Sequence, residues 1–144
     1  TQVKGTRARQ LAMTVIYPSP LTVLCDSPKN YRGQPGIDFL RNLPTVWDES
    51  VVVAAEAGKS IVVARRSGKV WYLAAMNGDA AASINVPLKF LGRKNWTLRG
   101  FADDPKASDY QMVVESTSSV DAKTVLPLSL APGGGFTGII SKAD

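Results

Sequence analysis

The first 43 residues carry the pattern of an amphipathic helix. Five apolar residues recur at the three- and four-residue spacing of a single helix face: Ala8, Leu11, Ala12, Val15 and Ile16. The opposite, solvent-facing side holds Arg7, Arg9 and Gln10. Thr6 precedes the stripe and is a residue type that caps helix N-termini. Pro18 and Pro20 should end the helix, because proline has no N–H to donate and clashes with the preceding turn.

A loop and a second, shorter helix are predicted next. Residues 26–36 contain several prolines and glycines, which are typical of loops. Pro35 suits the first position of a helix, where an N–H group has no partner anyway. Ile37, Leu40 and Leu43 then repeat at three-residue spacing, which favours a short helix.

From residue 45 onward, short β-branched and apolar runs alternate with turn residues. The predicted strands are 51–53, 61–65, 70–75, 82–88, 96–102, 110–115, 124–130 and 136–141. Ser67-Gly68 is predicted to be a two-residue hairpin turn. The apolar run 61–64 indicates an inner strand that is covered on both faces. Seven to eight such strands without intervening helices predict a mainly β fold, an antiparallel β-sandwich preceded by an N-terminal helical segment.

The chain therefore divides into a helical segment, 1–43, and an antiparallel β-domain, 44–144. A helix with a wide apolar stripe needs a partner surface, and a small sandwich usually has none to spare. Either the helix packs across one sheet, or its partner lies upstream of this sequence. If the partner lies upstream, the stripe is exposed in the isolated chain and drives association.

Composition removes several classes of chemistry. The 144 residues contain no histidine and one cysteine, Cys25, which excludes Ser-His-Asp and Cys-His nucleophiles and zinc sites built from His and Cys. The net charge is +5, from 17 Lys and Arg against 12 Asp and Glu. No apolar run approaches the roughly 20 residues of a membrane span. No signal peptide is visible at Thr1, and such a start is expected from the middle of a longer protein.

Pairs of carboxylates are the remaining groups that could serve in acid–base catalysis. Asp48 and Glu49 are neighbours on a predicted strand, so their side chains should point to opposite faces. Asp103 and Asp104 lie in a predicted turn, where aspartate bonds to its own backbone. We expect structural or solvated roles for both pairs. With Asp109, the second pair has a weak calcium-site spacing that lacks the order of a known calcium loop.

Aromatic and basic residues suggest two binding hypotheses. Trp47, Trp71 and Trp96 could stack on sugar rings if they were exposed, as in a carbohydrate-binding module. Large aromatic side chains are, however, more often buried in the core. Several basic residues could contact phosphates: Arg65, Arg66, Lys69, Arg93, Lys94 and Arg99. They flank predicted turns, where such residues usually solvate strand ends, so no nucleic-acid partner is expected. The glycines at 133–135 lack a phosphate-loop ending and should form a tight turn before the last strand.

Six sequence blocks resemble, in order, the C-terminal portion of glycoside hydrolase family 97. The blocks are GTRARQLA at 5–12, LCDSP at 24–28, PTVWDES at 44–50, ARRSG at 64–68 with WY at 71–72, FLG at 90–92 and LAPGGGF at 130–136. In that family a β-sandwich and a catalytic (β/α)8 barrel precede a smaller antiparallel C-terminal domain. The resemblance implies that residues 1–43 are the end of the barrel and residues 44–144 the C-terminal domain.

The resemblance also implies a function. The chain would be a non-catalytic domain that packs on the upstream catalytic barrel of the same protein and supports oligomerisation. The oligomer could be formed by identical copies. The parent enzyme would hydrolyse α-glucosides or α-galactosides and would alone contact the carbohydrate. The family's catalytic and calcium-binding carboxylates lie in the barrel, so no catalytic, cofactor or metal residue is expected here. A periplasmic or secreted location is implied. The alternative is a stand-alone carbohydrate-binding sandwich with Trp47 and Trp96 as stacking residues.

Overall fold

The computed structural model describes residues 5–19, 21, 23, 27–104, 106 and 113–143, which contain eight strands, three α-helices and a short 3-10 helix at Lys89–Leu91. The helices are α1 (Arg7–Ile16), α2 (Pro28–Tyr31) and α3 (Ile37–Arg41). The strands are β1 (Glu49–Glu56), β2 (Ser60–Ser67), β3 (Val70–Asn77), β4 (Ala82–Pro87), β5 (Trp96–Asp103), β6 (Val113–Val120), β7 (Val125–Leu130) and β8 (Gly135–Lys142). Cys25 lies outside the described residues. None of the described helices could serve as a membrane span.

The strands form two sheets. Six strands pair in the order β1-β2-β3-β8-β5-β6, and β4 pairs with β7 in a second sheet. All pairings are antiparallel, which confirms the predicted mainly β sandwich. The hairpin between β2 and β3 differs by one residue from the prediction, because Ser67 pairs with Val70 and leaves Gly68 and Lys69 as the turn. Gly68 has a φ of 58°, which favours glycine.

The six-stranded sheet has two apolar faces. Successive side chains along a strand point to opposite faces, so Trp71 and Leu73 of β3 lie in one core, while Tyr72 and Ala74 lie in another. The first core lies between the two sheets, where the second sheet contributes Val86, Leu128 and Leu130. Strand β2 likewise places Val62 in one core and Val63 in the other, so the predicted inner strand at 61–64 is confirmed.

Helix α1 covers the second face. Its five stripe residues are buried together with Phe39 of α3 and Phe101 of β5. Burying each large aliphatic side chain contributes about 1.5–3 kcal/mol. The helix crosses close to β8 because Gly135 has no side chain, and a Cβ at this position would lie 2.5 Å from the Cα of Arg9.

The structure thus selects one of the two partners left open for the helical stripe. Ala8, Leu11, Ala12, Val15 and Ile16 do form a packing interface, but its other side is this chain's own sheet. The alternative that the partner of these five residues lies upstream of this sequence is wrong, because the sheet has a second apolar face that the helix covers. The stripe is therefore not available for association. A domain boundary at residues 43 and 44 stays a prediction.

Polar contacts fix the N-terminal end of α1. Thr6 caps the helix as predicted, since its Oγ1 accepts from the N–H of Arg9 at 3.1 Å. The Thr6 N–H donates to the carbonyl of Gly133 at 3.1 Å. Arg9, predicted to face solvent, instead donates to the carbonyl of Asn77. Asn77 in turn donates to the carbonyl of Ala131 at 2.9 Å, so the helix is tied to two strand connections.

Leu11→Ala tests whether α1 is held by this chain's own sheet. Leu11 is 4% exposed, and truncating a buried leucine to alanine costs about 2–5 kcal/mol. We expect the free energy of unfolding, measured by urea denaturation, to fall by this amount. Gln10→Ala, on the exposed side of the helix, is the control and should change it by less than about 0.5 kcal/mol. Equal stability of the two variants would contradict the packing.

Candidate interaction surface

The first carboxylate pair braces the hairpin of β2 and β3. Asp48 accepts a hydrogen bond from the N–H of Gly68 at 2.7 Å. The Arg66 guanidinium lies 3.4 Å from the Asp48 carboxylate and 3.2 Å from that of Glu49. Both acids therefore contact one cation, and the prediction that they point to opposite faces is wrong. Asp48 precedes β1, so the alternation of strand side chains does not apply to it.

The second pair has the predicted structural roles. Asp103, 7% exposed at the end of β5, accepts hydrogen bonds from the N–H groups of Gly135 at 3.0 Å and Ala131 at 3.4 Å. It holds the turn at Pro132 and Gly133, which leads into β8, and Gly135, predicted to lie in the turn, is the first residue of that strand. Asp104 accepts from the backbone N–H two residues on, at 2.9 Å. Asp109 lies outside the described residues, and the described ones include no cluster of three potential metal ligands among His, Cys, Asp and Glu.

The tryptophans do not form an exposed platform. Trp71 and Trp96 lie in the core between the sheets, 4% and 7% exposed. The stacking hypothesis for Trp96 is therefore wrong, because the sandwich covers this face of β5. Trp47 is half-buried, with its ring centroid 5.4 Å from that of Tyr72 and 5.6 Å from the guanidinium carbon of Arg65. A protein cation already contacts the ring that the sugar hypothesis requires.

Arg65 joins this aromatic pair to the end of α1. Its Nη2 donates to the carbonyl of Ile16 at 3.2 Å, and burial lowers the pKa of the guanidinium. Three exposed apolar side chains lie near these residues in the sequence or on β1. Tyr17 follows Ile16, Val46 precedes Trp47 and Val52 lies on β1, and they are 45%, 73% and 64% exposed. We call these three residues the exposed rim. Val52 lies opposite Val63, so it projects from the α1 side of the sheet beyond the helix.

Two further surfaces carry charge. Lysines meet at one end of the sandwich, where the side-chain contact with Lys94, followed by repulsion from Lys94 and Lys69, lowers the pKa of Lys142. At another place, an open groove of about 450 Å³ is lined mainly by alanine, glycine and serine. The groove's Glu56 forms a 2.5 Å ion pair with Lys59, and this hydrogen bond raises the pKa of Lys59. These are solvated surface charges.

Strand β6 extends beyond both covering layers. Its end residues, Val113 and Val120, are buried, whereas the six residues between them are exposed on both faces. Its one charged residue, Glu115, lies 2.5 Å from Arg99 of β5. The hydrogen bond from Arg99 holds the pKa of Glu115 below its usual value, so the carboxylate stays ionised and paired. This surface could not be predicted from the sequence, because ESTSS at 115–119 has no apolar alternation to mark a strand.

Tyr72→Phe tests the aromatic pair at alkaline pH. Burial raises the pKa of Tyr72 above its ordinary value of 10.0. The unfolded chain therefore releases this proton first, so the contribution is complete below pH 10 and is lost as pH rises through the folded pKa. We expect urea denaturation at pH 8 and pH 11 to show a smaller loss of stability in Tyr72→Phe than in the wild type. Tyr17→Phe, which removes an exposed hydroxyl, is the control, and equal losses in all three proteins would contradict the assignment.

Known proteins resemble this chain in sequence. A family model described as "Glycosyl-hydrolase 97 C-terminal, oligomerisation" matches residues 46–141. A retaining alpha-galactosidase of Bacteroides thetaiotaomicron is 41% identical over 138 residues, 92% of this chain and 20% of that protein. The chain thus spans about a fifth of the length of the curated relatives it matches.

Solved structures agree. A glycoside hydrolase family 97 enzyme from Pseudoalteromonas sp. strain K8, in complex with acarbose, superposes with a TM-score of 0.90 at 30% identity, over 97% of this chain and 23% of that chain. A beta-arabinopyranosidase superposes with a TM-score of 0.77 at 31% identity, over 96% of this chain and 22% of that chain. The resemblance seen in the sequence is confirmed. The chain belongs to glycoside hydrolase family 97, as a C-terminal, oligomerisation domain of that family.

Proposed function

We propose that this chain is the non-catalytic part of a larger enzyme that hydrolyses α-galactosides, and that it holds copies of that enzyme together. The observation that carries the proposal is the 41% identity to a retaining alpha-galactosidase. The match to a family model whose description names oligomerisation supports the role in assembly. Identity at this level favours α-galactosides over the α-glucosides that the family resemblance left open. A beta-arabinopyranosidase has a similar region, so the sugar is selected elsewhere in the parent enzyme.

The carboxylates of the chain support a non-catalytic role. Glycoside hydrolysis uses two carboxyl groups that face each other across a sugar cleft. Here Asp48 and Glu49 share Arg66, and Glu115 is paired with Arg99. The acid and base would then belong to the catalytic barrel, together with the calcium that the resemblance implies. A periplasmic or secreted location belongs to the same proposal.

The exposed rim supports a contact with that barrel. Tyr17, Val46 and Val52 present apolar side chains to solvent beside the Trp47–Arg65 contact. Val46 is the most exposed of the three, and apolar surface of this kind is stabilised when a neighbouring domain covers it. The rim lies at the β1 side of the large sheet and leaves β6, at the opposite edge, free for contacts between copies.

Self-association of the 144-residue chain is the direct test of the proposal. Sedimentation velocity across a range of protein concentrations should show a reversible shift from monomer to a larger species. The control is Val52→Ser in the exposed rim, which removes apolar surface from the proposed barrel contact and should leave the shift unchanged. A chain that stays monomeric at every concentration contradicts the oligomerisation role.

Sugar titration separates this proposal from a stand-alone carbohydrate-binding module. We expect no saturable change in tryptophan fluorescence with galactosides or maltooligosaccharides, because Trp71 and Trp96 are buried and Trp47 contacts Arg65. Hydrolysis of an aryl α-galactoside by this chain should stay at background. Saturable quenching that Trp47→Phe abolishes would restore the carbohydrate-binding alternative.

A further inference from the structure

The described part of the two sheets has four strand edges without a neighbouring strand. They belong to β1 and β6 in the large sheet and to β4 and β7 in the small one. An open edge presents a row of unpaired N–H and C=O groups that another chain can join. Folded proteins block such edges with proline, bulges, lysines or short strands.

Three of the four edges carry such a block. Strand β1 has a bulge, where the register with β2 shifts between Val52 and Ala54. The strands β4 and β7 are six residues long and contain Pro87 and Pro127. Proline has no N–H to donate and is a poor template for a further strand.

No other described strand pairs with the outer edge of β6, and this edge carries no such block. This strand has eight residues without proline or lysine. Its register with β5 runs without a bulge, from Trp96 opposite Val120 to Asp103 opposite Val113. Arg99 neutralises the only charge on β6, that of Glu115. The residues toward its C-terminal half, Ser116 to Ser119, are small, uncharged and exposed, so a neighbouring backbone can approach.

We propose that two copies of this chain associate by antiparallel pairing of β6 with β6 across a two-fold axis. The proposal rests on the oligomerisation role proposed above and names its surface. A strand that pairs with its own copy must be compatible with itself, because each residue meets a residue of the same strand. With the axis at Thr117, Glu115 lies across from Ser119, so like charges do not meet directly. The two large sheets then become one continuous sheet.

The geometry favours a second copy over other occupants. Pairing through backbone groups requires a straight, unblocked edge on both partners, and a copy supplies one by construction. The exposed side chains of β6 contain little apolar surface apart from Val114, which is 43% exposed. The association therefore depends on the strand edge more than on a hydrophobic patch.

The test is the double variant Thr117→Lys, Ser118→Lys in the 144-residue chain, which places one lysine on each face of β6. We expect the dimer dissociation constant from sedimentation velocity to rise by about tenfold or more, because lysine protects an edge and like charges repel across it. Ala55→Lys with Ser129→Lys puts two lysines on exposed positions of the blocked strands β1 and β7, and should leave the constant unchanged.

Hydrogen exchange provides the second measurement. In the wild type, amide protection within β6 should increase with protein concentration, whereas in the double variant it should not. If the double variant does not give the circular dichroism of the folded chain, Thr117→Lys alone replaces it. If the wild-type chain associates, and the β6 variant associates as strongly as the control variant, the edge proposal is wrong and the oligomerisation role stands. A wild-type chain that never associates overturns both.

Discussion

The fold depends on a six-stranded sheet whose inner strands, β2, β3, β8 and β5, are apolar on both faces. Such a sheet cannot leave either face in water, so each face must acquire a covering layer. The small sheet of β4 and β7 covers one face around Leu73 and Ile140, and α1 covers the other around Tyr72 and Phe101. The helix can approach closely because Gly135 leaves room for its backbone. The contacts at both ends of the helix, through Thr6 and Arg65, then fix its position over the sheet.

Most of the strand order along the chain could be predicted from the sequence, because turn residues separate β-branched runs of the right length. Errors occurred where local pattern is weak. The hairpin turn moved by one residue to Gly68 and Lys69, a difference that depends on cross-strand register. The second half of β6 was missed because a strand exposed on both faces has no apolar alternation. A one-turn helix at Pro28–Tyr31 also escaped, since the breakers around it predict a loop.

Long-range partners were harder to predict than elements. Periodicity identified the apolar stripe of α1 correctly, but it defines a face and not what covers that face. Arg9 falls on the polar side of the helix, yet it donates to the carbonyl of Asn77, which only the fold brings near. Trp96 and Trp47 were both sugar-stacking candidates, but β5 places Trp96 in the core, whereas Trp47 contacts Arg65 at the margin of the sheet.

The two covered faces restrict how this domain can contact anything else. An association surface on either face would have to compete with α1 or with the small sheet, and displacing either would expose a core. Contacts are therefore confined to margins: strand edges, the exposed rim, and the turns at the two ends. Association through a strand edge needs different residues from association through the rim. Strand pairing is directed by backbone groups and tolerates small polar side chains, whereas the rim offers apolar side chains. The serine- and threonine-rich face of β6 can thus stay soluble before assembly, whereas an apolar interface of equal length would be an aggregation hazard in the free chain.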